Sequence, residues 1–330
     1  VAAGALRAIP VAAIVAGTAA SARSFAKLET TLEELGIVAG MTDEQIAGMR
    51  SGVEKTAPQL GLAAEEAYGV IQSLVQGGMD IDRATQVWPT IAKTARAASA
   101  DMRDISDAGN AVMSQLGITP DELERAYDAM IEGGKMGRFE LKDMAREFPA
   151  LTAQAQRLGY DGVDGVIKLV AQLQYLRETA GSGSEAANNL RNLMLKVFSA
   201  ETARNFEKYG IDIMDRLGEA AERGENQLEA VLDVVEEITK GMSDTEAQAV
   251  ISRLFPDQQA QAGLLGLRRY REEIRQAEKE IAQTSGSVQR DWERMMDTAQ
   301  GSADKLIANL KRVRNAVGEE VLPAITGVMD

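Results

Sequence analysis

Aliphatic side chains recur in this chain at intervals of three and four, and that period restricts it to helices packed on helices. Ala63, Ala67, Val70, Ile71, Leu74 and Val75 make one stripe. Val166, Val170, Leu173 and Leu176 make a second, widened by Ile167 and Leu169, and Leu228, Val231, Leu232, Val235 and Ile238 make a third. No run alternates apolar and polar residues as a half-buried strand requires. Apolar residues are 45 % of the chain but aromatics only 4 %. The core must therefore come from Ala, Leu, Ile, Val and Met, which suits closely packed helices. The expected fold class is all-α.

Helix boundaries are written locally. Thr119-Pro120-Asp121-Glu122 places a hydroxyl at the N-cap, proline at the first helical position and a carboxylate at the third. That is a capping box in which the missing proline N–H costs nothing. Thr42-Asp43-Glu44-Gln45 and Ser243-Asp244-Thr245-Glu246 repeat it. Gly36, Gly61, Gly77, Gly117, Gly133, Gly159, Gly210, Gly218 and Gly241 each follow a periodic stretch and are expected to end it in a left-handed conformation. The intervals define short helices joined by short turns, a bundle-like arrangement.

The pattern changes near Gly263. Leu267, Tyr270, Ile274, Ala277 and Ile281 step by three and four. The stripe resumes at Val288, Trp292, Met295, Ala299, Ala303, Leu306, Leu310, Val313 and Val317, after an interruption at Ser285-Gly286-Ser287. This near-heptad seam predicts two long coiled-coil-like helices, hinged or stacked end to end and closed by Pro323. A seam so narrow calls for a partner helix, from this chain or from another copy. The expected organisation is an Ala-rich helical segment over 1–61, a helical core over 62–262 and long amphipathic helices over 263–330.

Composition also removes whole chemistries. With no Cys and no His, a Ser-His-Asp triad, a Cys-His pair, a thiolate or imidazole zinc site and a disulfide are all excluded. The formal net charge of −14 repels nucleic acid, whose binders neutralise phosphates with Lys and Arg. The basic residues Arg268, Arg269 and Arg271 stand beside Glu272 and Glu273, and Lys311, Arg312 and Arg314 precede Glu319 and Glu320. Both groups read as mixed-charge solvated helix faces. The chain opens on Val1 rather than Met, as a piece of a longer or processed protein does. Its apolar start is interrupted by Arg7 and Pro10, and Ala8 to Ala20 is shorter than the ~20 residues of a membrane-spanning helix. An Ala-rich packing helix is expected there, with a signal or membrane segment as the alternative.

No catalytic, cofactor-binding or metal-binding residue is assigned. Ala180-Gly181-Ser182-Gly183-Ser184-Glu185 has the look of a phosphate loop but lacks a Gly-Lys-Ser/Thr ending and a preceding strand. It reads as a helix-helix turn capped by Ser184. Carboxylate pairs (Glu33 with Glu34, Glu65 with Glu66, Asp101 with Asp104, Glu236 with Glu237, Glu319 with Glu320) suit glycoside hydrolysis in principle. A chain with 50 acids produces them by composition. Asp80 with Asp82 and Asp161 with Asp164 lack the calcium-loop pattern. Trp88, Trp292 and Tyr270 are expected in packing, Trp88 beside the helix bend at Pro89, with Met295 and Met296 as gap fillers.

From about Leu62 to Gly218 the motifs, in order, resemble the tape-measure protein family of bacteriophage tails. QSLVQGGMDIDRATQVWPTIAKTARAASADMRDISDAGNAVMSQLG carries a glycine turn, a helix with Pro89 inside it and a second helix that begins near an acid. GKMGRFELKDMAREFPALTAQAQRLGYDGVDGVIKLVAQLQ is similar to the section that follows, with Phe148-Pro149 placed before a helix ending at Leu158-Gly159. GSGSEAANNLRNLMLKVF and EKYGIDIMDRLG resemble the closing turn and helix, with Arg191, Gly210, Ile211, Asp215 and Gly218 in matching places. Gly318 to Pro323 is similar to the family's exit. Ala187-Asn188-Asn189 departs from the Thr-Ala usual before the Leu-Arg pair, which affects local packing.

The resemblance implies a virion structural protein without catalysis and without a cofactor. It would be assembled in the host cytoplasm, fill the lumen of the tail tube, set tube length and leave ahead of the DNA. Implied partners are further copies of itself through the C-terminal helices, the tail tube protein, tail tip or baseplate proteins and a tail assembly chaperone. Contact with the host membrane on ejection is also implied, and specific nucleic-acid binding is not. A 330-residue helix would measure roughly 500 Å at ~1.5 Å per residue. The alternatives are a membrane-perturbing helical protein and a helical cell-wall-degrading enzyme.

Overall fold

The computed structural model describes residues 11–137 and 139–326, with side chains described from residue 21 to residue 320. The expectations for the apolar start therefore fall largely outside the described residues. Among the described residues the regular structure consists of seventeen α-helices and three 3-10 turns. The chain is all-α. No helix among these residues is long and apolar enough to cross a membrane. Two compact units form: one from the chain up to Ala92 together with the chain from Arg294 onward, the other from Lys93–Glu293.

The first unit opens with α1 (Val11–Ala39), α2 (Asp43–Thr56), α3 (Ala64–Gln76) and α4 (Ile81–Ala97), the last of which runs on past the division. Thr42 caps α2 as its sequence predicts, accepting from Gln45 N while the Gln45 side chain accepts from Thr42 N at 2.9 Å. Asp80 caps α4 by accepting from Arg83 N at 2.9 Å. Pro89 lies inside α4 with Trp88 buried beside it.

The second unit contains α5 (Met102–Gln115), α6 (Leu123–Met136), α7 (Leu141–Ala155), α8 (Gly162–Glu178), α9 (Gly183–Val197), α10 (Ala200–Glu207), α11 (Ile213–Glu222), α12 (Gln227–Thr239), α13 (Asp244–Leu254), α14 (Gln258–Arg269) and α15 (Arg271–Gln283). Helix α8 is its axis, packed by α6, α9, α14 and α15. Neighbours on so many sides explain a run from Gly165 to Leu176 that is buried nearly throughout, since a helix apolar around most of its circumference has to be enclosed. The polar residues in that run are paired. Tyr160 Oη donates to Gln172 Oε1 at 2.9 Å, and Gln174 Nε2 donates to the Phe139 carbonyl at 2.9 Å. The chain then forms α16 (Ser287–Met296), within which the division falls, and α17 (Ala299–Thr326), which lies wholly in the first unit.

Glycine serves two purposes here. Gly61, Gly117, Gly159, Gly210 and Gly241 take positive φ as expected. Gly36, Gly133 and Gly218 do not end helices: they lie inside α1, α6 and α11. The stops fall instead at Gly40 and Gly224, and at Gly78 rather than Gly77, all with positive φ. At Gly133 an added Cβ would stand 2.0 Å from Val170 Cγ1. This glycine permits the close approach of α6 to α8.

Three further expectations are corrected. Phe148-Pro149 lies inside α7, not before a helix, and a 3-10 turn through Leu158 follows before Gly159. The stretch from Leu267 to Val317 is not two long helices: it runs through α14, α15, α16 and α17, with breaks at Tyr270 and at Asp297-Thr298 as well as at the serines. Pro323 does not close the segment, for α17 continues to Thr326. A proline there removes one backbone hydrogen bond, the one its missing N–H would have given to the carbonyl four residues back, and the helix ends within a turn of it.

Candidate interaction surfaces

The Ser285-Gly286-Ser287 break is a corner built against one face of α6. Asp128, only 3 % exposed, accepts from Gly286 N at 2.7 Å and from Val288 N at 2.8 Å. A side chain of α6 thus caps the first turn of α16, where free N–H groups need an acceptor. One turn earlier, Arg125 donates to the Ile281 and Ala282 carbonyls at the end of α15. One turn later, Glu132 accepts from Ser287 Oγ and pairs with Arg290 at 3.3 Å. Burial pushes the Glu132 carboxyl up, but hydrogen bonds from Ser287 and Lys135 outweigh it and hold the group below its usual range. Lys135 also pairs with Asp291 at 2.8 Å. The sequence carries one signal for this corner: an acid inside the buried run from Ala126 to Ile131.

The basic residues near Tyr270 divide. Arg269 is exposed and lies over the Tyr270 ring, 5.3 Å from its centroid. Arg271 leaves the solvent and pairs with Glu229 at 2.9 Å, with Glu236 at 2.8 Å and with Asp233. Burial alone would lower the Arg271 pKa, but hydrogen bonds to Asp233 and Glu229 carry it upward. Nearby, burial and then the Glu229 charge push the Glu278 carboxyl up. This is an ion-pair network between α12 and α15 that half-buries Arg271 while Asp233 and Glu236 stay exposed.

Most of the singled-out carboxylates have structural partners. Asp101 caps α5. Asp104 pairs with Arg146 at 2.7 Å. Glu66 accepts from Ala63 N at 2.8 Å, and Glu65 accepts from Asn315 Nδ2 at 3.2 Å. Glu237 pairs with Arg216 and Glu319 with Arg50. Glu33, Glu34, Glu320, Asp82, Asp161 and Asp164 are exposed. Among the described residues no group of acids is placed to hold a metal ion. In the Ala180–Glu185 turn the cap is Ser182, not Ser184. Ser182 accepts from Glu185 N, Glu185 accepts from Gly181 N at 2.8 Å, and Ser184 Oγ donates to Glu147 at 2.6 Å. Donors already used in this way do not form an anion cradle.

Helix α17 presents the clearest free surface. It runs antiparallel to α1, with Ser24 Oγ donating to Asn315 Oδ1 at 2.8 Å and Gly318 lying against the Ser21 carbonyl. Among its described side chains, through residue 320, the buried residues are Gly301, Ala308, Asn315 and Gly318. The predicted seam lies on the other side. Leu306 is 61 % exposed, Leu310 60 %, Val313 58 % and Val317 40 %. The first half of the same stripe behaves oppositely. Leu267, Ile274, Ala277 and Ile281 are buried within the second unit, with α8 supplying the partner helix for α15.

A family model described as phage-related minor tail protein matches residues 50–255. The probable tape measure protein of Burkholderia phage BcepMu is 28 % identical over a 347-residue alignment covering 97 % of this chain and 40 % of that protein. The tape measure protein of Pneumococcus phage Dp-1 is 17 % identical over 313 residues, 94 % of this chain and 26 % of that protein. The chain spans less than half the length of either relative. No solved structure matches it.

Proposed function

Because this chain belongs to the phage-related minor tail protein family, we propose that it is a segment of a tail tape-measure protein. In this reading it fills the tail tube, contributes to tube length during assembly in the host cytoplasm and leaves ahead of the DNA. The family match across residues 50–255 carries the reading, supported by the alignment of nearly the whole chain with a phage protein named for that role. Two physical properties favour it. A net charge of −14 keeps the surface from trapping DNA that moves through the same channel. A Cys-free chain of short helices can be drawn into an extended string of helices without covalent obstacles. Its partners are then copies of itself, the tail tube protein, tail tip or baseplate proteins and an assembly chaperone, and it acts by occupancy and contact instead of catalysis.

Protease protection tests the placement. Peptides from residues 50–255 should survive treatment of intact particles and be cleaved after ejection is triggered. Cleavage of the same peptides in intact, unejected particles would place the segment outside the tube.

A further inference from the structure

We propose that the pairing of α1 with α17 is a latch, which keeps tension off the Lys93–Glu293 unit until it opens. Its use in a tail rests on the tape-measure reading, but its mechanics follow from the connectivity of the chain. The first unit is built from the two ends of the chain, and the second is inserted between them. Helices α4 and α16 make the two connections. Tension applied through the ends of the chain is therefore carried by the first unit for as long as that unit stays closed. Only after it lets go does the load reach the inner unit.

The direction of the pull decides how the latch yields. Ser21 meets Gly318 and Ser24 meets Asn315, so the start of α1 and the end of α17 lie at the same end of the pair. Drawing the chain from both ends peels the helices apart turn by turn instead of sliding one along the other. The polar bonds that hold this end are close together. Arg314 Nη2 donates to Ser24 Oγ at 2.6 Å, Asn315 Nδ2 donates to Glu65 at 3.2 Å, and Arg50 pairs with Glu319 at 2.7 Å. Behind them α17 has little apolar hold. Helix α1 buries Phe25, Leu28, Leu32 and Leu35, whereas α17 offers only the small buried residues named above. Small side chains remove little apolar area from water, and stabilisation scales with that area. The inner unit instead encloses α8 on most sides. Breaking the bonds at 314–319 thus frees α17 first, and the better-packed inner unit opens afterwards.

Pulling the full chain by its two ends in an optical trap reads the order of opening directly. Lengthening by about 450 Å, from the first unit, should precede a further release of about 700 Å at higher force, from the inner unit, at ~3.5 Å per residue of drawn-out chain. Gly318→Val should lower the first force or abolish that step, because its side chain would collide with the Ser21 carbonyl oxygen. The second force should stay at the parent value. Asp128→Ala, within the inner unit, should lower the second force and leave the first unchanged. The longer release coming first, or both lengths freed in one rupture, overturns the latch. So does a first force that G318V leaves at the parent value. Each of these failures leaves the tape-measure reading standing, because the order of opening is independent of where the chain lies in the tail.

Discussion

Replacing Asp128 by Ala lowers the unfolding free energy of the Lys93–Glu293 unit by about 3 kcal/mol, taking ~1–3 kcal/mol for each buried donor left without an acceptor. Asp128 serves two donors, the part-buried Gly286 N and the buried Val288 N, 158 and 160 residues further along the chain. Water cannot readily replace it, because the carboxylate is only 3 % exposed and Val288 is fully buried. Asp128→Asn should cost less, since one amide oxygen can still accept while the NH2 group faces a donor. The neighbouring bonds from Glu132 and Lys135 to α16 remain in either variant, so the corner should loosen without the whole unit unfolding. Urea denaturation followed by circular dichroism would show the midpoint falling in the order parent, Asn, Ala. An unchanged midpoint for D128A would mean that the corner does not contribute to stability.

Gly263→Val is the second large effect. Helices α9 and α14 cross at Gly263, where an added Cβ would lie 2.8 Å from the Asn189 carbonyl oxygen and 3.1 Å from its carbon. Both obstacles are backbone, so no side-chain rotation relieves them and the helices must separate. Overpacking of this kind costs roughly 1–3 kcal/mol, and a branched residue at a backbone crossing should reach the upper end. Gly263→Ala meets the same two atoms but recovers about 1 kcal/mol of helix propensity, so it should be destabilised by clearly less. The same denaturation experiment reads both. Equal stability of Gly263→Val and the parent would show that α9 and α14 do not approach as closely as described.

These two positions also show what a single sequence conveys. The helices themselves were legible, because period, capping boxes and the Gly159 and Gly241 stops are all local. Gly133 and Gly263 were not, because a glycine that ends a helix and one that lets two helices touch look alike along the chain. Along the chain Gly133 has the marks of a stop, and only the position of Val170 across the interface distinguishes the two cases. Asp128 was missed because its partners are distant in sequence. The C-terminal seam was visible as a pattern, but periodicity says that a face is apolar and not what covers it. From Leu267 to Ile281 the chain covers its own stripe, and from Leu306 to Val317 it leaves the stripe open. The family resemblance was carried by the order of diffuse motifs from Leu62 to Gly218, close to the span of the family match. No chemistry was assigned from the sequence, and the acids singled out there are engaged in caps and ion pairs or are exposed.

The central claim is that this segment helps to set tail length, and tail length measured by electron microscopy tests it directly. The parent phage is compared with one carrying an in-frame deletion of Gly263 to Val317. If these residues lie extended as helix in the tube, the tail shortens by about 80 Å at ~1.5 Å per residue. Tails of unchanged length would contradict the account.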